Sequence, residues 1–173
     1  MKLLIDSLLI MLLITTTTTI ATATEKIAQL KPLTCSELAE LDFSNLEDAS
    51  TEITSTEVIE AEDDLPKFCR VKGYINPNIG VEIGLPSTGW NGKFLKLGCG
   101  GFCGFIKMPE QCADGLKRGY ACIVSDMGHK GAYGEWALNN LQSEVDFGFR
   151  ATHVATLAGK AITERYYGMA PRK

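Results

Sequence analysis

The chain has 173 residues, 17 of them basic and 21 acidic, for a formal net charge of −4, with 45% apolar and 22% charged side chains. That composition suffices for one core-forming domain and excludes disordered, collagenous and coiled-coil chains. A net-acidic chain with no dense basic stretch also lacks a general phosphate-binding surface, so neither nucleic acid nor anionic lipid is an expected partner.

Residues 1–23 read as a secretory signal: Lys2 supplies a basic start, residues 8–14 are an unbroken apolar run, and Ala21-Thr22-Ala23 has the small-x-small pattern of a cleavage site. The apolar run is far short of the ~20 residues a membrane-spanning helix needs. The expected product is secreted and extracellular, with no membrane association once the signal is removed. Residues 24–64 are polar and acidic, with eight carboxylates between Glu47 and Asp64. They predict a solvated arm wrapped on the domain and tied down through Cys35. Only 35–41 carry a short helical pattern, behind Thr34 as a cap. The carboxylates lack the alternate-position spacing of a calcium loop, so no metal is expected there.

All six cysteines, Cys35, Cys69, Cys99, Cys103, Cys112 and Cys122, follow the signal. An even number of thiols in an exported chain predicts disulfides, although six cysteines allow 15 pairings and the sequence does not choose among them. A local Cys103–Cys112 bridge would close a short loop and contribute ~2–3 kcal/mol. The competing reading, zinc on Cys99, Cys103 and Cys112, lacks the paired short spacings of a structural site.

From Phe68 onward the pattern predicts strands separated by turns. Residues 68–75 alternate, Asn76-Pro77-Asn78 breaks them, and 81–85 alternate again before Pro86, which predicts a hairpin. Residues 93–97 predict a third strand that runs into the glycine cluster 98–104. A helix is predicted over 110–117, stopped by Gly119. The nearly continuous apolar run 120–125 reads as a central strand covered on both faces. Apolar residues at spacings of three and four, among them Phe149, Val154, Leu157, Ala158 and Ile162, predict one long helix over 145–167, ended by Gly168 and Pro171. Antiparallel entry followed by strand, helix and buried strand indicates an α/β sheet.

Two segments could carry chemistry. Four glycines within residues 98–104, directly after a strand, allow backbone N–H groups to approach a ligand and stabilise an acyl-transfer oxyanion. The alternative is a flexible turn pinned by disulfides. The second segment is Ser125-Asp126-Met127-Gly128-His129, at the carboxyl end of the buried strand, where open α/β sheets place ligands. Asp126 and His129 either line a pocket or, respectively, cap a turn and hydrogen-bond within it. His153 reads as a packing or hydrogen-bonding residue of the long helix, and Trp90 and Trp136 as core or rim aromatics. No Gly-x-Ser-x-Gly occurs, and none of Ser87, Ser125 or Ser143 is predicted at a strand-to-helix elbow.

Six strings stand in a recognisable order: Phe68-Cys69-Arg70-Val71, Trp90-Asn91-Gly92-Lys93-Phe94-Leu95, Gly100-Gly101-Phe102-Cys103-Gly104, Arg118-Gly119-Tyr120-Ala121, Asp126-Met127-Gly128-His129 and Asp146-Phe147-Gly148-Phe149-Arg150-Ala151-Thr152-His153. In order and spacing they resemble the tannase/feruloyl esterase family of secreted serine carboxylesterases, over residues 65–171. The resemblance implies the N-terminal part of an α/β-hydrolase fold, with a mixed sheet starting from an antiparallel hairpin and a partial catalytic domain over 65–173. It implies that Gly100 or Gly101 donates an oxyanion-hole N–H and that the substrate is a small phenolic ester, such as a gallate or ferulate. The family's nucleophile sits in a Cys-Ser-x-Gly-Gly elbow shortly after Tyr-Gly-x-x-Pro, here Tyr167-Gly168-Met169-Ala170-Pro171. The expectation is therefore a chain truncated before the nucleophile elbow, with no catalytic Ser, acid or base of its own, inactive alone, and with no cofactor in this segment. Calcium belongs to the lid of some members, which has no counterpart here. A different class remains open: a secreted, non-catalytic module that uses a hydrolase-like sheet to bind a small aromatic ligand.

Overall fold

In the computed structural model, which describes residues 30–172, the sheet begins earlier than the sequence pattern predicts. Thr51–Ile59 forms strand β1 and pairs antiparallel with Phe68–Ile75, strand β2, from Thr51↔Ile75 to Ile59↔Phe68. The expected solvated arm over 24–64 is corrected over this stretch. β-Branched Thr, Ile and Val give the segment its strand propensity. Because β1 is a sheet edge, most of its side chains face solvent, and charges such as Glu52 and Glu57 discourage pairing with another chain. Two of the eight carboxylates that suggest an arm, Glu52 and Glu57, stand in this edge strand, and the other six flank it.

Ahead of β1 the chain is fastened as expected. Glu37 N–H donates to Thr34 Oγ1 at 3.3 Å, and Thr34 N–H donates to Glu37 Oε2 at 2.7 Å. This reciprocal capping pair starts the 3-10 helix Glu37–Glu40. Leu38 is fully buried, and Cys35 is bonded to Cys69 in β2. The expected signal over 1–23 lies outside the described residues.

Ile79–Pro86, strand β3, closes the expected hairpin on β2. Phe94–Lys96 is strand β4; a 3-10 turn Glu110–Cys112 leads into helix α1, Ala113–Lys117, and Ala121–Ser125 is strand β5. Every residue of β5 is buried. It lies between β3, antiparallel, and β4, parallel, so the strand order is β1-β2-β3-β5-β4. The continuous apolar run thus occupies the doubly covered position that its composition predicts.

Alternation along β5 divides the core in two. Ala121 and Ile123 face one side with Val71, Ile83, Val154 and Ala158; Cys122 and Val124 face the other with Phe68, Met108 and Leu116. Helix α1 covers the second side. The first is covered by Ala151–Tyr167, helix α3, which Gly168 ends. At Gly159 the helix backbone meets β4 so closely that a Cβ there would stand 2.5 Å from the Phe94 ring.

The single helix predicted over 145–167 is in fact three pieces. Leu141–Val145 is helix α2, capped by Asn140, whose Oδ1 accepts from Ser143 N–H at 3.2 Å. Asp146–Arg150 forms a π turn before α3 begins. The extra residue in that turn rotates the apolar stripe, so Phe149, expected to face the core, is 68% exposed.

The bridges are Cys35–Cys69, Cys99–Cys103 and Cys112–Cys122. The local Cys103–Cys112 pairing is corrected: Cys103 closes the glycine loop on itself, while Cys112 lies under the sheet and fastens the start of α1 to β5. All six thiols are used in disulfides.

Candidate active site

Because β4 and β5 run parallel, the loops that follow them, 98–104 and 126–129, emerge together at one end of the sheet. The crevice beyond such strand ends is where open α/β sheets bind ligands. Leu97 N–H extends the pairing onto Ile123 O at 3.0 Å, and the Cys99–Cys103 bridge then closes the loop. Gly104 N–H donates to Asp126 O at 3.2 Å and Gly131 N–H to Gly104 O at 3.2 Å, which locks the two loops together. A Cβ on Gly104, at φ +77°, would lie 2.0 Å from Gly131 O, so only glycine permits this backbone-to-backbone contact.

Between these anchors the loop is open. Gly100 O accepts from Cys103 N–H at 3.0 Å, but among the described residues the N–H groups of Gly100 and Gly101 reach no acceptor. Both residues are exposed, with no atom within 4 Å of where a Cβ would stand. The loop is pinned at its ends and unencumbered in its middle, leaving two adjacent donors available to a developing negative charge.

Asp126 is fully buried and fully engaged. Its Oδ1 accepts from Gly80 N–H and Gly128 N–H, both at 2.9 Å, and its Oδ2 pairs with Lys130. It caps the turn and ties it to the hairpin. His129 does not hydrogen-bond in that turn, which corrects the expectation. It is 4% exposed and stacks on Trp136, with centroids 3.9 Å apart and planes 11° from parallel. Neither ring nitrogen has a partner among the described residues. His153 is exposed on α3 rather than packed. Trp90 stacks on Tyr167 at 3.9 Å and donates to Lys93 O at 2.9 Å, away from the two loops. Tyr167 O–H donates to Pro86 O at 2.8 Å, and burial pushes its phenol well above the ordinary range.

Two groups escape the sequence reading. Lys96, the last residue of β4, is half-buried and donates to Leu97 O at 2.7 Å and to Ser125 Oγ at 3.2 Å. Burial lowers its pKa to about 8. The available signal is a single charge inside the apolar run 94–97. The second is Asp146, fully buried in the π turn, whose Oδ1 accepts from Arg150 Nη1 at 2.8 Å and Gln142 Nε2 at 3.0 Å. Arg150 Nη2 in turn donates to Asn76 O at 2.6 Å, fastening the π turn to the β2–β3 hairpin. Their signal is the i,i+4 spacing of Asp146 and Arg150 inside one of the recognisable strings.

No hydroxyl among the described residues is arranged as a nucleophile. Ser125 is 2% exposed, is followed by a turn rather than a helix, and has Lys96 and the Met127 sulfur as its partners, with no histidine. The site therefore offers donors for negative charge without an activated attacking group.

A mixed sheet with an antiparallel entry, helices on both faces and two loops meeting at the ends of its parallel pair defines an α/β-hydrolase-like fold. The solved feruloyl esterase B of Aspergillus oryzae shares that fold, with a TM-score of 0.69 and 24% identity, over 80% of this chain and 31% of that one. The family model for tannase and feruloyl esterase matches residues 58–173, and the chain belongs to that family. It is 36% identical over 115 residues to an uncharacterized esterase of Xanthomonas campestris pv. campestris, covering 63% of this chain and 20% of that one. Against a probable feruloyl esterase B-2 of Aspergillus flavus it is 38% identical over 110 residues, covering 61% of this chain and 21% of the relative. The chain spans about a fifth of the length of these curated relatives.

Proposed function

We propose that residues 30–172 provide the oxyanion-stabilising side of a secreted serine-type carboxylic ester hydrolase that acts on small esters of phenolic acids. The observation that carries this reading is the pair of unencumbered amides at Gly100 and Gly101, beside the ends of the parallel strands. In the reaction, a serine hydroxyl adds to the ester carbonyl and gives up its proton to a base. The carbonyl oxygen becomes an oxyanion and accepts hydrogen bonds from these amides. The intermediate collapses, the alcohol leaves with a proton, and water then hydrolyses the acyl-enzyme. Loss of one such donor lowers turnover by about 10²–10³.

The attacking serine and its base lie outside the described residues in this account, because Ser125 is buried and bound to Lys96 and Met127. The relatives' names, feruloyl esterase among them, support a phenolic-acid ester as substrate. Three disulfides support passage through an oxidising compartment. No helix among the described residues is long and apolar enough to cross a membrane.

The test is to offer the purified 173-residue chain methyl ferulate, methyl gallate and a serine-reactive fluorophosphonate. Hydrolysis at the buffer rate with no label is expected. Stoichiometric labelling of a serine within the chain would overturn the division of roles.

A further inference from the structure

The three bridges differ in what surrounds their sulfurs. In Cys35–Cys69 and Cys112–Cys122 every cysteine is buried. In Cys99–Cys103 only Cys103 is buried, and Cys99 is partly exposed. The chain neighbours of Cys99, Gly98 and Gly100, are exposed and have no atom within 4 Å of where a Cβ would stand, so nothing beside them walls off its approach from solvent. Thiol–disulfide exchange starts with a thiolate reaching one sulfur of the bridge, so access decides which bridge reacts first.

The same bridge shapes the backbone that carries Gly100 and Gly101. Leu97 N–H is fixed on Ile123 O, and Gly104 N–H on Asp126 O. Between these points, among the described residues, one backbone hydrogen bond, Cys103 N–H to Gly100 O at 3.0 Å, and the bridge join the loop to itself. Cys103 has φ +62°, in the left-handed region that a residue with a Cβ enters only at a cost. Such a conformation persists where its surroundings enforce it, and opening the bridge removes one of the two ties that do so here. Because the bridge spans 4 positions, against 34 for Cys35–Cys69, it restricts the unfolded chain far less, and its loss leaves the fold standing.

We propose that Cys99–Cys103 is a thiol-reducible latch: oxidised, it holds the Gly100 and Gly101 amides open together at the strand ends, and reduced, it lets them go. The reductant is a small dithiol. One of its thiolates attacks Cys99 Sγ, the S–S bond breaks, and the electron pair leaves on Cys103 Sγ, which takes a proton from solvent. The second thiolate attacks the mixed disulfide and releases Cys99 as a thiolate that is protonated in turn. The dithiol ends as a cyclic disulfide, having passed two electrons to the bridge. The effect on a bound anion rests on the oxyanion reading above; the order of reduction and the movement of the loop do not.

The test is a titration of the oxidised 173-residue chain, labelled with ¹⁵N, with dithiothreitol in the absence of denaturant. Samples are alkylated with iodoacetamide and mapped by mass spectrometry. Cys99 and Cys103 are expected to be alkylated before any of the other four cysteines. At the same reductant concentration the amide signals of Gly100 and Gly101 should move, while those of Ile123 and Val124 in β5 stay fixed. Affinity for phenylphosphonate is expected to fall at least about tenfold on reduction, as the loss of one or two aligned donors to an anion implies. Replacing Cys99 and Cys103 together by serine should reproduce the reduced signals and abolish the response to dithiothreitol. Earlier or simultaneous reduction of another bridge, Gly100 and Gly101 signals unmoved by reduction, or a measurable phosphonate affinity that reduction leaves unchanged would overturn the latch. Failure of the oxidised chain to bind phenylphosphonate would count against the oxyanion reading alone, because the alkylation order and the amide signals decide the latch without an anion. Should the double serine variant fail to fold, the titration of the native chain decides by itself.

Discussion

Lys96 shows how one residue couples the strand ends to pH. Its amine has Leu97 O and Ser125 Oγ as partners and no carboxylate within ion-pair distance among the described residues. Burial lowers its pKa from 10.5 to about 8. Below pH 8 both folded and unfolded chains carry the proton, and the full cost of burying the charge is present. Between about 8 and 10.5 the unfolded chain holds a proton that the folded one lacks, so this group makes stability rise with pH through that window. Lys96→Met is expected to stabilise the chain at pH 7 by about 2 kcal/mol, allowing for solvent that still reaches the amine. That advantage should shrink toward zero by pH 10.5 in denaturant melts, whereas a pH-independent difference would contradict the account. The glycine loop was legible in the sequence because four glycines after a strand are a dense local signal. Lys96 was not, since its meaning depends on which side of the sheet it faces. The unpaired state of His129 was hidden for a similar reason: its stacking partner, Trp136, arrives through a later loop.

At the scale of elements, the contact between α3 and β4 sets how the sheet meets its covering helix. Gly159→Ala places a methyl 2.5 Å from the Phe94 ring, so the helix or the ring must move. The expected cost is about 1–3 kcal/mol in urea unfolding, with Phe94→Leu in the same chain recovering part of it. Full additivity of the two changes would show that the contact is not the cause. The strands β2, β3 and β5 and helix α1 follow from hydrophobic pattern and turn residues, which are local. β1 escaped because an edge strand buries little and carries charge, so its pattern resembles that of a solvated segment. The π turn at Asp146–Arg150 escaped because it follows from the buried Asp146–Arg150–Asn76 chain of contacts, which joins segments 74 residues apart.

Across the whole molecule, the three bridges act at different ranges. Cys35–Cys69 spans 34 positions and ties the strap 30–50 to the sheet, whereas Cys99–Cys103 spans 4 and shapes only the glycine loop. Replacing Cys35 and Cys69 together by serine is expected to cost about 3–4 kcal/mol, through the freedom returned to the unfolded chain; an unchanged denaturation midpoint would contradict it. None of these pairings was legible, because six cysteines carry no local mark of their partners. The fold class was, because the order of strands and turns restricts how a sheet can close. Whether the open amides beside the two parallel strands receive an anion is read from a ¹H–¹⁵N titration of the chain with phenylphosphonate, a tetrahedral anion. The amide signals of Gly100 and Gly101 should move downfield together and saturate. Saturation elsewhere with these two signals fixed would contradict the assignment of this loop to an oxyanion.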